Sequence, residues 1–72
     1  MNFRQLRGLA GWTQFDLAAA TNIGRVRLSF IENGHLVPSP AESSTIEKAL
    51  LAEIARRAEQ FHQTLAEVGS KK

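Results

Sequence analysis

The residues that stop helices are crowded into the first half of this chain. Gly11, Asn22 and Gly34 punctuate short apolar-periodic segments, but after Pro40 no Gly, Pro or Asn intervenes until Gly69. Glycine and asparagine tolerate the left-handed backbone that ends a helix, and proline cannot continue one. Strand-like alternation is nearly absent, and apolar residues recur at helical spacing. The expected class is therefore all-α, a small bundle of three short helices followed by a long C-terminal helix.

Start signals locate the helices. Asn2 followed by Gln5 is a cap pair for a helix from about Phe3 to Ala10, with Phe3, Leu6 and Ala10 on one face. Gly8 costs that helix about 1 kcal/mol relative to Ala. Thr13, with Asp16 three residues on, caps a second helix that ends near Thr21 and turns its Leu17 and Ala18 inward. Asn22 suits a tight turn, and Ile23 reads as a core plug. A third helix is expected from Gly24 or Arg25 to Gly34, with Leu28 and Ile31 inward. Ser39-Pro40-Ala41-Glu42 combines a capping Ser, Pro at the first helical position and Glu three after the cap. The helix that it opens is expected over 40–67, ~40 Å long. A break near Ser43-Ser44 is the alternative, since Ser44-x-x-Glu47 is a second cap pattern. Ile46, Leu50, Ile54, Ala58, Phe61, Leu65 and Val68 form its apolar stripe.

Composition narrows the function. The chain has 72 residues, enough for one domain with a modest core, and no cysteine to staple it. His35 and His62 stand apart and belong to no ligand pattern, so no metal is expected. Nothing suggests a cofactor or a catalytic constellation, and an enzyme is not expected. No apolar run has the length of a membrane span and nothing resembles a signal peptide, so no membrane partner is expected and the chain reads as cytoplasmic. The net charge of +2 is only mildly basic, but Arg4, Arg7, Arg25 and Arg27 face only Asp16 and Glu32 before Pro40. The positive end of the molecule lies in its N-terminal half.

Two short helices joined by a tight turn, the second rich in arginine, suggest a reader of double-stranded DNA. Drawn as a wheel, the third helix turns Val26, Phe30 and Asn33 away from Leu28 and Ile31, with Arg25 and Arg27 flanking and Ser29 nearby. Arg bonds guanine O6 and N7 in bidentate fashion, and an apolar side chain touches a thymine methyl. Arg25, Val26, Arg27 and Phe30 are thus the candidate base readers. The competing reading covers Val26 and Phe30 with the long C-terminal helix. Candidate phosphate contacts are Thr13 and Gln14 at the start of the second helix and Asn33, Gly34 and His35 at the exit of the third. The plainer alternatives are a solvated Gln14 and an Asn33 that merely ends its helix. Arg7 and Glu32 border the core faces of their helices, and an ion pair between them is expected; two independent solvated charges are the alternative.

From Phe3 to Leu50 the chain resembles the Cro/lambda-repressor-like (XRE-type) helix-turn-helix family. The resemblance rests on Phe3-x-x-Leu6-Arg7, Gly11-Trp12-Thr13-Gln14-x-x-Leu17-Ala18, and Ile23-x-Arg25-x-x-Leu28-Ser29-x-Ile31-Glu32-Asn33-Gly34. Pro38-Ser39, Ile46 and Ala49-Leu50 continue it. It implies a sequence-specific transcriptional regulator, with repression as the expected mode, acting as a homodimer on a pseudo-palindromic operator. It also implies phosphate contacts at Gln14 and Asn33, base contacts at Arg25, Val26 and Phe30, and an Arg7–Glu32 pair. A toxin or other protein partner fits the family, and no residue identifies one. The chain departs from the family pattern at Thr21-Asn22, where Leu-Gly is common, at Gly24, where Ser or Thr usually caps, and at the apolar Leu9. It also has one long helix where the family has two shorter ones.

Residues 1–51 then form the DNA-binding unit, 52–68 an extension for dimerisation, and 69–72 a disordered tail. Ile54, Ala58, Phe61 and Leu65 are the expected dimer interface, because too little chain follows to cover them. The intrachain alternative folds the extension back across the first helix, onto Leu9 and Trp12. A protein-interaction module using the third or the long helix is the rival function.

Overall fold

The computed structural model describes residues 2–70. It is all-helical over these residues, with α1 Phe3–Ala10, α2 Gln14–Thr21, α3 Arg25–Glu32 and α4 Pro40–Ser70. The helix ends follow local chemistry. Asn2 Oδ1 accepts from the Gln5 amide at 2.8 Å, while the Asn2 amide donates to Gln5 Oε1 at 3.0 Å. Thr13 and Asp16 repeat this exchange at the start of α2, and Ser39 and Glu42 at the start of α4. Each box satisfies amides that a helix start leaves without partners. Gly24 starts α3 with no side-chain cap.

The α2–α3 turn rests on Asn22, at φ 58°, and on Thr21. The buried Thr21 hydroxyl donates to the Leu17 carbonyl at 2.7 Å and accepts from the Ile23 amide at 3.3 Å. α3 ends at Glu32, two residues short of the expected Gly34. Asn33 caps it, and Gly34, at φ 78°, reverses the chain so that the His35 and Leu36 amides donate to the Phe30 carbonyl. α4 is one helix of 31 residues with no break at Ser43-Ser44. Gly69 and Ser70, expected in a disordered tail, continue it, and the rest of that tail, Lys71 and Lys72, lies outside the described residues.

Ala10, Leu17, Leu28, Ile31, Ile46 and Leu50 form the core, drawn from all four helices. Phe3, Leu6, Trp12, Ala18, Ile23, Leu36 and Ile54 pack around it. Burying each large side chain contributes about 1.5–3 kcal/mol. The packing ends along α4 at Ile54: from Ala55 to Gly69 every residue is exposed. The helix leaves the bundle as a free arm, giving extents of 52 × 21 × 18 Å. The fold-back alternative is therefore excluded, since Phe61 and Leu65 stand in solvent and Leu9 is bare.

One residue of the arm's base reaches back. Arg57 Nη1 donates to the Ala10 carbonyl at 3.0 Å, a cation at the C-terminal end of α1 where the helix dipole favours it. The guanidinium lies against Gly11, whose φ is 69°; a Cβ there would fall 2.1 Å from Arg57 Nη1. Gly11→Ala is expected to lower stability by at least about 1–2 kcal/mol, the cost of a left-handed L-residue alone. Urea titration measures this. Adding Arg57→Ala should remove the clash but leave the backbone cost.

Candidate nucleic-acid interface

Leu28 and Ile31 seat α3 on the core, so the opposite side of the helix is presented outward. Val26 is 66% exposed and Phe30 50% exposed on that side. α4 does not cover them, which settles the choice left open by the sequence. The Phe30 ring meets the His35 ring edge-on, with centroids 6.3 Å apart at 87°. The exit of α3 is therefore continuous with the apolar strip. Asn33 is exposed and its amide donates to Ser29 Oγ at 3.4 Å. Gly34 is exposed beside it.

The two arginines of α3 have different surroundings. The Arg25 guanidinium carbon lies over the Phe15 ring, 4.1 Å from its centroid. Arg27 turns instead toward α4, where its Nε bonds Glu42 Oε2 and its Nη2 bonds Glu42 Oε1 at 2.9 Å. The Arg27 hydrogen bonds, with the Ser39 amide second, pull the Glu42 carboxyl down to a pKa of about 2. Arg27, expected as a free-standing reader beside Val26, thus spends two donors on Glu42. Part of the reason is spacing: the Ser39 capping box holds the Glu42 carboxylate within reach of α3.

Beneath the strip, Arg7 of α1 and Glu32 of α3 form a two-point ion pair, Nε to Oε2 at 2.9 Å and Nη2 to Oε1 at 3.0 Å. The Glu32 side chain is 1% exposed. Donating hydrogen bonds to Glu32 raises the Arg7 pKa, outweighing the desolvation that opposes it. Arg7 Nη1 also donates to the Trp12 carbonyl at 3.1 Å, and Gln14 Nε2 reaches Glu32 Oε1 at 3.3 Å. Gln14, expected to be a phosphate contact, is half-buried and tied into this cluster. The Thr13 hydroxyl is engaged with Asp16 in the α2 capping box.

The structure therefore gathers Arg25, Val26, Phe30, Asn33, Gly34 and His35 along one exposed edge and draws Gln14 and Arg27 into bonds within the chain. Phe15, absent from the sequence-based set, stands on the same edge. Its signal was an apolar aromatic at the second position of α2, off the face carrying Leu17 and Ala18. Among the expected dimer residues, Ile54 packs on its own core, whereas Ala58, Phe61 and Leu65 lie on the free arm. No group of three or more His, Cys, Asp or Glu is placed to hold a metal among the described residues. No described helix is long and apolar enough to cross a membrane.

The Arg7 cluster yields a stability test. Arg7→Met keeps much of the stem but strands the Glu32 carboxylate in a site from which water is excluded. Removing one partner of such a buried pair costs about 3–5 kcal/mol. The double variant Arg7→Met/Glu32→Met is expected to recover most of that loss in chemical denaturation.

A family model described as helix-turn-helix matches residues 3–56. No curated protein and no solved structure matches the chain. The matched span opens with α1 and closes two residues beyond Ile54, the last half-buried apolar position of α4. It contains the capped α2, the Asn22 turn, the outward strip of α3 and the Arg7–Glu32 pair. The chain belongs to the Cro/lambda-repressor-like (XRE-type) helix-turn-helix family of DNA-binding transcription regulators.

Proposed function

We propose that the protein is a repressor that inserts α3 into the major groove of a pseudo-palindromic operator as a homodimer. In this reading residues 1–51 bind DNA and residues 52–68 pair two copies. The bare apolar pair Val26 and Phe30 beside the open guanidinium of Arg25 carries the proposal. Water is a poor environment for such a strip, while base edges offer methyl groups and paired acceptors. Asn33, Gly34 and His35 flank it as phosphate contacts. Thr13 and Gln14 complete that set at the start of α2, Gln14 by releasing Glu32, and Arg27 joins the base readers by releasing Glu42.

Selection of duplexes from a random library by the full chain tests the binding. A two-fold symmetric site is expected, with half-sites about one DNA turn, ~34 Å, apart. Affinity should fall steeply with salt, as it must where several phosphates are neutralised. Arg25→Ala should weaken the selected site about 5- to 150-fold, the cost of one lost bidentate base contact, and leave scrambled DNA little affected. Salt-insensitive binding, or none, would overturn the reading in favour of a protein-interaction module.

Pairing of the arms rests on Phe61, Leu65 and Val68, which are exposed on a helix that none of the described residues covers there. Together with Ala58 they continue the apolar stripe at alternating spacings of about three and four, the seam of two packed helices. Light scattering of the wild type is expected to give twice the chain mass. Phe61→Asp should halve that mass while circular dichroism keeps the bundle's helix signal. A monomeric wild type at high micromolar concentration would sink the pairing.

A further inference from the structure

Phe15 is 67% exposed and takes no part in the core. The Arg25 guanidinium lies over its face. We propose that Phe15 is a positioning residue, presetting Arg25 as the base-reading arginine and so determining sequence preference at one step of each half-site. The proposal rests on the DNA-binding reading above.

The geometry separates what is held from what is left free. A guanidinium over an aromatic ring is held by attraction to the ring's electron density. The ring is not a hydrogen-bond acceptor of the carboxylate or carbonyl kind, so the contact leaves N–H donors available for a planar acceptor pair. Among the described residues the Arg25 side chain has no hydrogen bond or ion pair, so its donors are open. Guanine O6 and N7 form such an acceptor pair. Arg27 shows the contrast two residues on. Its partner is a carboxylate, which occupies the donors themselves.

Placement supports the same assignment. Arg25 opens α3 and Phe15 is second in α2, and across the Asn22 turn the Arg25 side chain reaches the Phe15 ring. An arginine on a flexible stem loses many conformers when it docks on a base. A stem already laid over a ring has fewer to lose, and that saving is greatest where the base matches the preset edge. The ring thus acts on DNA through Arg25.

The test uses the full chain with the duplex it selects and a scrambled duplex of equal length. Phe15→Leu is expected to weaken the selected duplex about two- to five-fold and to leave the scrambled one unchanged. Repeating the selection with Phe15→Leu should relax the base preference at the step that Arg25→Ala also relaxes. Phe15→Trp should retain the preference, since its ring attracts a cation at least as strongly. In an Arg25→Ala background, Phe15→Leu should cost nothing further. In the free protein, the Arg25 side-chain protons should show a ring-current shift that Phe15→Leu removes. Thermal melting guards against a folding defect.

Equal loss on both duplexes, or undiminished loss in the Arg25→Ala background, would overturn the proposal by making Phe15 a direct DNA contact. Unchanged affinity and preference in Phe15→Leu would overturn it too. A wild type that selects no duplex would remove the parent reading and this one together. A wild type that selects a site without coupling between Phe15 and Arg25 removes this one alone.

Discussion

The Glu32 carboxylate is the point on which the arrangement of the first three helices turns. It sits at the last residue of α3, an end where the helix dipole disfavours negative charge, and it is shut away from water. Such a group is tolerated only if its oxygens are bonded. Arg7 supplies two bonds from α1 and Gln14 a third from the first turn of α2. Arg7 adds a bond to the Trp12 carbonyl in the α1–α2 link. A shift of any of these helices would strand a charge, so the cluster opposes rotation of α3 about its own axis. The apolar contacts of Leu28 and Ile31 say which side of α3 is buried; the carboxylate makes that orientation specific.

With α3 so held, its outward edge acquires two unlike cations. Arg25 lies over a ring with its donors unspent, whereas Arg27 has its donors on Glu42. Both are exposed arginines on one short helix, and the difference comes wholly from what the neighbouring helices bring near. α2 offers an aromatic face; the first turn of α4 offers a carboxylate already fixed by its own capping box.

α4 has two different roles along its length. Ile46 and Leu50 close the core, and Ile54 finishes it. Arg57 then fastens the helix to the C-terminus of α1. Beyond that bond the same apolar periodicity continues, and Phe61, Leu65 and Val68 are exposed. The family match ends close to this boundary, at residue 56, so the shared architecture and the intrachain packing run out together.

Much of this was legible in the chain as written. The capping pairs at Asn2, Thr13 and Ser39, the stops at Gly11 and Asn22, and the inward pairs Leu17–Ala18 and Leu28–Ile31 are local or periodic signals. Short-range chemistry decides such features before any tertiary contact exists. The outward turn of Val26 and Phe30 was legible from the wheel, and packing decided only that α4 leaves them bare. The contact of Phe15 with Arg25, the diversion of Arg27 to Glu42, the capture of Gln14 by Glu32 and the bond from Arg57 to Ala10 were not legible. Each depends on which side chains arrive together when separate helices pack. The periodicity of α4 named its apolar face, but only the packed bundle showed where on that face burial stops. A helical stripe has the same pattern in sequence whether its partner is the same chain or another; the difference lies in the space around it.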